Sequence, residues 1–103
     1  MAIGVYFNPE SMSAGQYDDV IQRLDEAGTG APAGRLYHAC FGADDKLQVF
    51  DIWESQEAFD AFGQILMPIL ADVGLDPGQP MVEPVHHLIP GSEAATEDGA
   101  TPE

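Results

Sequence analysis

A histidine held against a carboxylate can take up and return a proton near neutral pH. The carboxylate fixes the imidazole tautomer and stabilises its charged form. His38 and Asp51 offer that chemistry if two strands bring them together. Arg35 to Gly42 (RLYHACFG) and Leu47 to Trp53 (LQVFDIW) both read as strands, joined by a polar hairpin loop, Ala43 to Lys46. Pairing Gly42 with Leu47 sets His38 opposite Asp51, Cys40 opposite Val49 and Leu36 opposite Trp53. The pair then serves either as a general base or as a polar bridge buried across a subunit interface. Trp53 can stack on a flat ligand, donate its indole N–H, or fill the core. Phe59 and Phe62, with a kink at Pro68, are expected to shape an apolar pocket that Trp53 lines.

Other constellations carry less. His86 and His87 resemble a metal motif, but neighbouring strand residues point to opposite faces and no spaced Cys or Glu cluster accompanies them. One of them, His87, is expected at the pocket instead. Tyr6, Tyr17 and Tyr37 read as packed phenols rather than acids. Gly28 to Gly34 (GTGAPAG) lacks the Lys-Ser/Thr of a phosphate loop and precedes a strand. No nucleophile elbow is present. No metal and no cofactor are therefore expected.

The elements that must position these residues follow from periodicity. Ala2 to Phe7 is β-rich and stops at Asn8-Pro9. Ser11 or Ser13 caps a helix whose apolar stripe is Tyr17, Val20, Ile21 and Leu24, ending near Gly28. Ser55 caps a second helix, striped by Phe59, Phe62, Leu66, Ile69 and Val73 and closed by Gly74. Met81 to Ile89 reads as an edge strand, since Pro84 cannot donate to a ladder. The order β-α-β-β-α-β predicts an α+β, ferredoxin-like fold: an antiparallel four-stranded sheet with both helices on one face. The apolar set Tyr37, Ala39, Phe41, Phe50 and Ile52 is the surface expected under the helices. Leu36, Val49 and Trp53 would then face outward, too apolar to stay wet, and a second copy is expected to cover them.

Composition bounds the partners. The 103 residues suit one domain, taken as 1–90, with an acidic, disordered tail at 91–103. Eighteen acids stand against Arg23, Arg35 and Lys46, a net charge of -15. Phosphate backbones and anionic membranes need clustered cations, so neither nucleic acid nor membrane is an expected partner. The dispersed acids suit solubility or a salty interior better than a basic partner. Cys40 is alone and reads as a small buried apolar residue, which fits the reducing cytoplasm. No basic region followed by an apolar run opens the chain, so no signal peptide is expected.

Ile52-Trp53-Glu54-Ser55, followed by Ala58-Phe59 and Phe62, resembles the strand-to-helix junction of the dimeric α+β-barrel superfamily. Within it the chain is similar to the small proteins related to antibiotic-biosynthesis monooxygenases. Asn8 and His86-His87-Leu88 add to the likeness, which spans residues 2–89 in architecture. The resemblance implies a homodimeric barrel, and it brings two activities into view. One is binding of a small apolar or aromatic molecule between sheet and helices. The other is a cofactor-independent oxygenase or isomerase, whose relatives carry a tryptophan ending strand three and an asparagine on strand one. Trp53 and Asn8 match those positions. With strands one and three taken as parallel, both would sit at one end of the sheet. The haem-degrading relatives carry a histidine on helix two, which this chain lacks. A structural or regulatory dimer without a pocket is the third possibility.

Overall fold

A computed structural model describes residues 1–91; the expected tail lies outside them apart from Gly91. Its elements are β1 (Ile3–Phe7), α1 (Ala14–Glu26), β2 (Arg35–Phe41), β3 (Gln48–Trp53), α2 (Gln56–Asp72) and β4 (Met81–Pro84). Each helix starts where a serine oxygen replaces a missing backbone partner. Ser13 accepts from the Gln16 N–H while the Gln16 side chain accepts from the Ser13 N–H, a reciprocal cap. Ser55 accepts from the Ala58 N–H. The first helix gives way to Gly28 and the second to Gly74, both in left-handed backbone conformations open to glycine. Pro68 deletes one helical bond, yet α2 continues past it, its inner face held by buried Phe62 and Leu70.

The strands lie in the order β2-β3-β1-β4, every neighbour antiparallel. This is the expected ferredoxin-like arrangement, with two corrections to what it positions. First, β1 and β3 are antiparallel: Ile3 faces Trp53 and Phe7 faces Val49. A hairpin reverses the chain between β2 and β3, so β3 must oppose the direction that β1 and β2 share. Asn8, following Phe7, therefore stands at the opposite end of the sheet from Trp53, about 17 Å along the strand at ~3.4 Å per residue.

Second, the two faces of the sheet are exchanged. His38 pairs with Asp51 and Cys40 with Val49, as expected. That row, with Trp53, lies under the helices, not outside. The reason is legible in β1. Its Ile3, Val5 and Phe7 share one face, and the register joins Ile3 to Trp53, Val5 to Asp51 and Phe7 to Val49. These residues pack with Val20, Leu24, Phe62 and Leu70 of the helices in one core that also includes Met12 and Leu75. The open face instead carries Tyr6, Tyr37, Phe41, Phe50 and Met81, of which Tyr37, Phe41 and Met81 are about half exposed.

Two irregularities adjust the register. A bulge between Arg35 and Tyr37 sets Arg35, not Leu36, opposite Trp53 and leaves Leu36 exposed. The last strand ends at Pro84, not at Ile89: its pairing with β1 stops where Ile3 meets Pro84, and one further bond follows, from the Val85 N–H to the Ala2 carbonyl at 2.9 Å. As expected, it is an edge strand. Among the described residues no helix is long and apolar enough to cross a membrane.

Candidate functional site

Alternation along β3 puts Asp51 and Trp53 on the same face, two residues apart. Asp51 is only 4% exposed, which would be costly for a carboxyl without partners. Both its oxygens are satisfied. Trp53 Nε1–H donates to Asp51 Oδ2 at 3.2 Å, and His38 Nδ1 lies 2.6 Å from Asp51 Oδ1. His38 Nε2 in turn lies 2.6 Å from the Tyr17 hydroxyl oxygen of α1. The two rings are nearly parallel, 8° between their planes. An ionised Asp51 that accepts from Nδ1–H leaves Nε2 as the acceptor of the Tyr17 O–H. The result is one hydrogen-bonded line, Trp53–Asp51–His38–Tyr17, running from the core outward.

The outer end of this line opens on a cavity of about 70 Å³ between sheet and helices. Tyr17, His38, Asp51 and Arg35 supply its polar wall. Phe7, Met12, Val20, Leu24, Phe62 and Leu66 are among its apolar ones. Arg35 is held by a hydrogen bond from its guanidinium to the Gly30 carbonyl, 3.2 Å. Burial pushes the Tyr17 phenol above its ordinary 10.0, Cys40, Asp51 and Asp18 add to the rise, and Arg35 opposes it. Tyr17 is thus a hydroxyl donor or acceptor at neutral pH, not a phenolate. Burial, with Asp18 nearby, likewise raises the Cys40 thiol above 9.0.

The structure brings His38, Asp51 and Phe62 to this cavity and sets the other expected residues elsewhere. Trp53 is fully buried behind the wall, 5.8 Å from Phe59 and 5.2 Å from Phe62 between ring centres. Its contribution to the site is the bond to Asp51. Phe59 bridges Trp53 and Phe7 in the packing and does not line the cavity. Asn8 is exposed and outside it. His87 is exposed and, with His86, Tyr6 and Phe50, borders an open groove of about 510 Å³ on the other face of the sheet. Tyr17 and Arg35 are the site residues that the sequence reasoning missed. Tyr17 opens the inward stripe of α1, and a phenol on a core stripe facing a strand that carries histidine was the available signal.

No protein-family model and no curated protein matches the chain. Solved structures do. A candidate antibiotic biosynthesis monooxygenase from Caulobacter crescentus superposes with a TM-score of 0.60 at 18% identity, covering 85% of this chain and 91% of that one. SnoaB, a cofactor-independent oxygenase from Streptomyces nogalater, gives 0.57 at 16% identity, covering 87% and 96%. A protein of unknown function from Nitrosomonas europaea gives 0.59 at 17% identity, covering 88% and 96%. The chain therefore has the fold of the antibiotic-biosynthesis-monooxygenase-like proteins.

Proposed function

We infer that the cavity between sheet and helices binds a small apolar or aromatic ligand, with a polar atom of that ligand meeting the Tyr17 hydroxyl. The observation that carries this is a satisfied polar line, Asp51–His38–Tyr17, ending at a cavity whose wall, Arg35 apart, is mostly apolar. A polar network without a ligand to serve is a weak use of a core, since apolar side chains of like volume would hold it as well. At about 70 Å³ the cavity is smaller than an engineered void of about 150 Å³ known to enclose benzene. A one-ring ligand would therefore fill it and extend into its mouth.

Calorimetric titration of the purified protein with p-cresol and with toluene tests the reading. The expected result is saturable binding of p-cresol, weaker binding of toluene, and loss of both in Leu66→Trp, which fills the cavity from α2. Absence of binding by either ring compound would sink it.

The line to Tyr17, together with the fold shared with SnoaB, favours a second reading. In it the cavity is the active site of a cofactor-independent oxygenase or isomerase acting on an aromatic substrate. In either case we read the working unit as a homodimer. The support is the open sheet face, where Tyr37, Phe41 and Met81 are half exposed beside Phe50. A cytoplasmic setting remains the reading of the single thiol, Cys40.

A further inference from the structure

Resting on the cavity reading, we propose that the ligand of this cavity is an anion, a small apolar body carrying one carboxylate, and that Arg35 is the residue that selects it. The chain has 18 acidic residues and 3 basic ones, so a cation without an acid beside it is unexpected. Arg23 has its acid, Asp19, at 3.0 Å. Lys46 is exposed and bonds the Glu10 carbonyl at 2.8 Å. Arg35 differs from both. It is half-buried, and among the described residues it is the one Lys or Arg in the cavity wall and pairs with no acid. The bond from its Nη2 to the Gly30 carbonyl, 3.2 Å, holds the guanidinium in place. The rest of its donor fork takes no protein partner among the described residues.

A planar guanidinium fork matches the two oxygens of a carboxylate and offers a neutral ring much less. Asp51, also in the wall, is no rival for that fork, because Trp53 and His38 hold its oxygens at 3.2 and 2.6 Å. Tyr17 takes a different group. With its O–H given to His38 Nε2, its oxygen is left as an acceptor, which suits a ligand hydroxyl and repels a carboxylate. The carboxylate is thereby directed to Arg35. Val20, Leu24, Phe62 and Leu66 enclose the apolar body between the two polar ends, and they exclude part of the water that would screen the contact. The charge of the whole chain works the other way: -15 repels anions at long range. A preference for an anion over a neutral molecule of the same shape must therefore come from a local cation, and Arg35 is the one in place.

The test compares two pairs of probes that differ only in a methyl group replaced by a carboxylate: p-cresol with 4-hydroxybenzoate, and m-cresol with 3-hydroxybenzoate. The isomers set the carboxylate at two distances from the hydroxyl. Each is titrated by calorimetry at neutral pH and fixed ionic strength. The expected result is that at least one hydroxybenzoate binds the native protein about tenfold tighter than its cresol, the scale of one hydrogen bond to a charged group. Arg35→Gln should abolish that preference and Arg35→Lys, which keeps the charge, should retain part of it. The ratio of the two affinities is the readout, because a general loosening of the site lowers both and leaves their ratio alone. Cresols that bind as tightly as the hydroxybenzoates, or tighter, overturn the selection by charge and leave the cavity reading intact. A preference that survives Arg35→Gln overturns the role of Arg35. Binding of none of the four brings down the cavity reading and the anion proposal with it.

Discussion

At the scale of single residues, the main lesson concerns Trp53. A lone tryptophan at a strand end invites a ligand-stacking role, yet here it is fully buried and its polar atom serves Asp51. Trp53→Phe keeps most of the packing and removes only that N–H. Leaving a buried carboxylate oxygen short of a donor is expected to lower stability by about 1–3 kcal/mol. That is a large share of the ~5–15 kcal/mol of a typical domain. A fall in the urea midpoint at unchanged slope checks it, and an unmoved midpoint would show that Asp51 needs no donor from Trp53. Tyr17 yields a pH prediction. Its folded pKa lies above 10.0, so the folded state holds the phenol proton more tightly than the unfolded chain. The stability this gives is whole below 10.0 and is lost as pH rises through the folded value. Tyr17→Phe should flatten the alkaline part of a melting-temperature profile; a native profile already flat there would contradict the burial argument.

At the scale of elements, the site depends on how β2 enters the sheet. Gly34, just ahead of Arg35, sits at φ +89, and its carbonyl accepts from the Glu54 N–H at 2.8 Å. A β-carbon there would come within 2.6 Å of Ala58 Cβ on α2. The loop therefore passes between strand and helix only because this residue has no side chain. Gly34→Ala is expected to destabilise the protein by about 1–3 kcal/mol through backbone strain, with further loss from the clash. It should also weaken p-cresol binding, because Arg35 follows directly. Thermal unfolding and the same titration would check both; a melting temperature equal to the native one would mean that the loop has room to shift.

At the scale of the whole molecule, the open sheet face and the charge act against each other. Half-exposed Phe41, Tyr37 and Met81 favour association through that face, while a net charge of -15 on each copy opposes it. Association should therefore strengthen with added salt as the repulsion is screened. Sedimentation of the native protein is expected to give a dimer whose dissociation constant falls with salt. Phe41→Asp, which plants a carboxylate on the open face, should give a monomer that still binds p-cresol, since Phe41 is remote from the cavity wall. A native monomer at all salt concentrations would remove the homodimer reading.

Periodicity and capping residues were enough, from the chain alone, to foresee the element order, the start of α2, the edge position of β4 and the pairing of His38 with Asp51, while for α1 they left Ser11 and Ser13 both open. All of these rest on local chemistry: Ser13 and Ser55 at caps, alternation along strands, a short polar hairpin. Which face the helices cover is a different kind of fact. Strand alternation separates two sets of residues but leaves unsettled which set is inside. That is fixed by the crossover connections and by how β1 registers against β3. The same long-range pairing decides that Asn8 and Trp53 lie at opposite ends of the sheet. Tyr17 and His38 meet for the same reason. They are 21 residues apart, on a helix and a strand that touch only once the sheet is closed over its core.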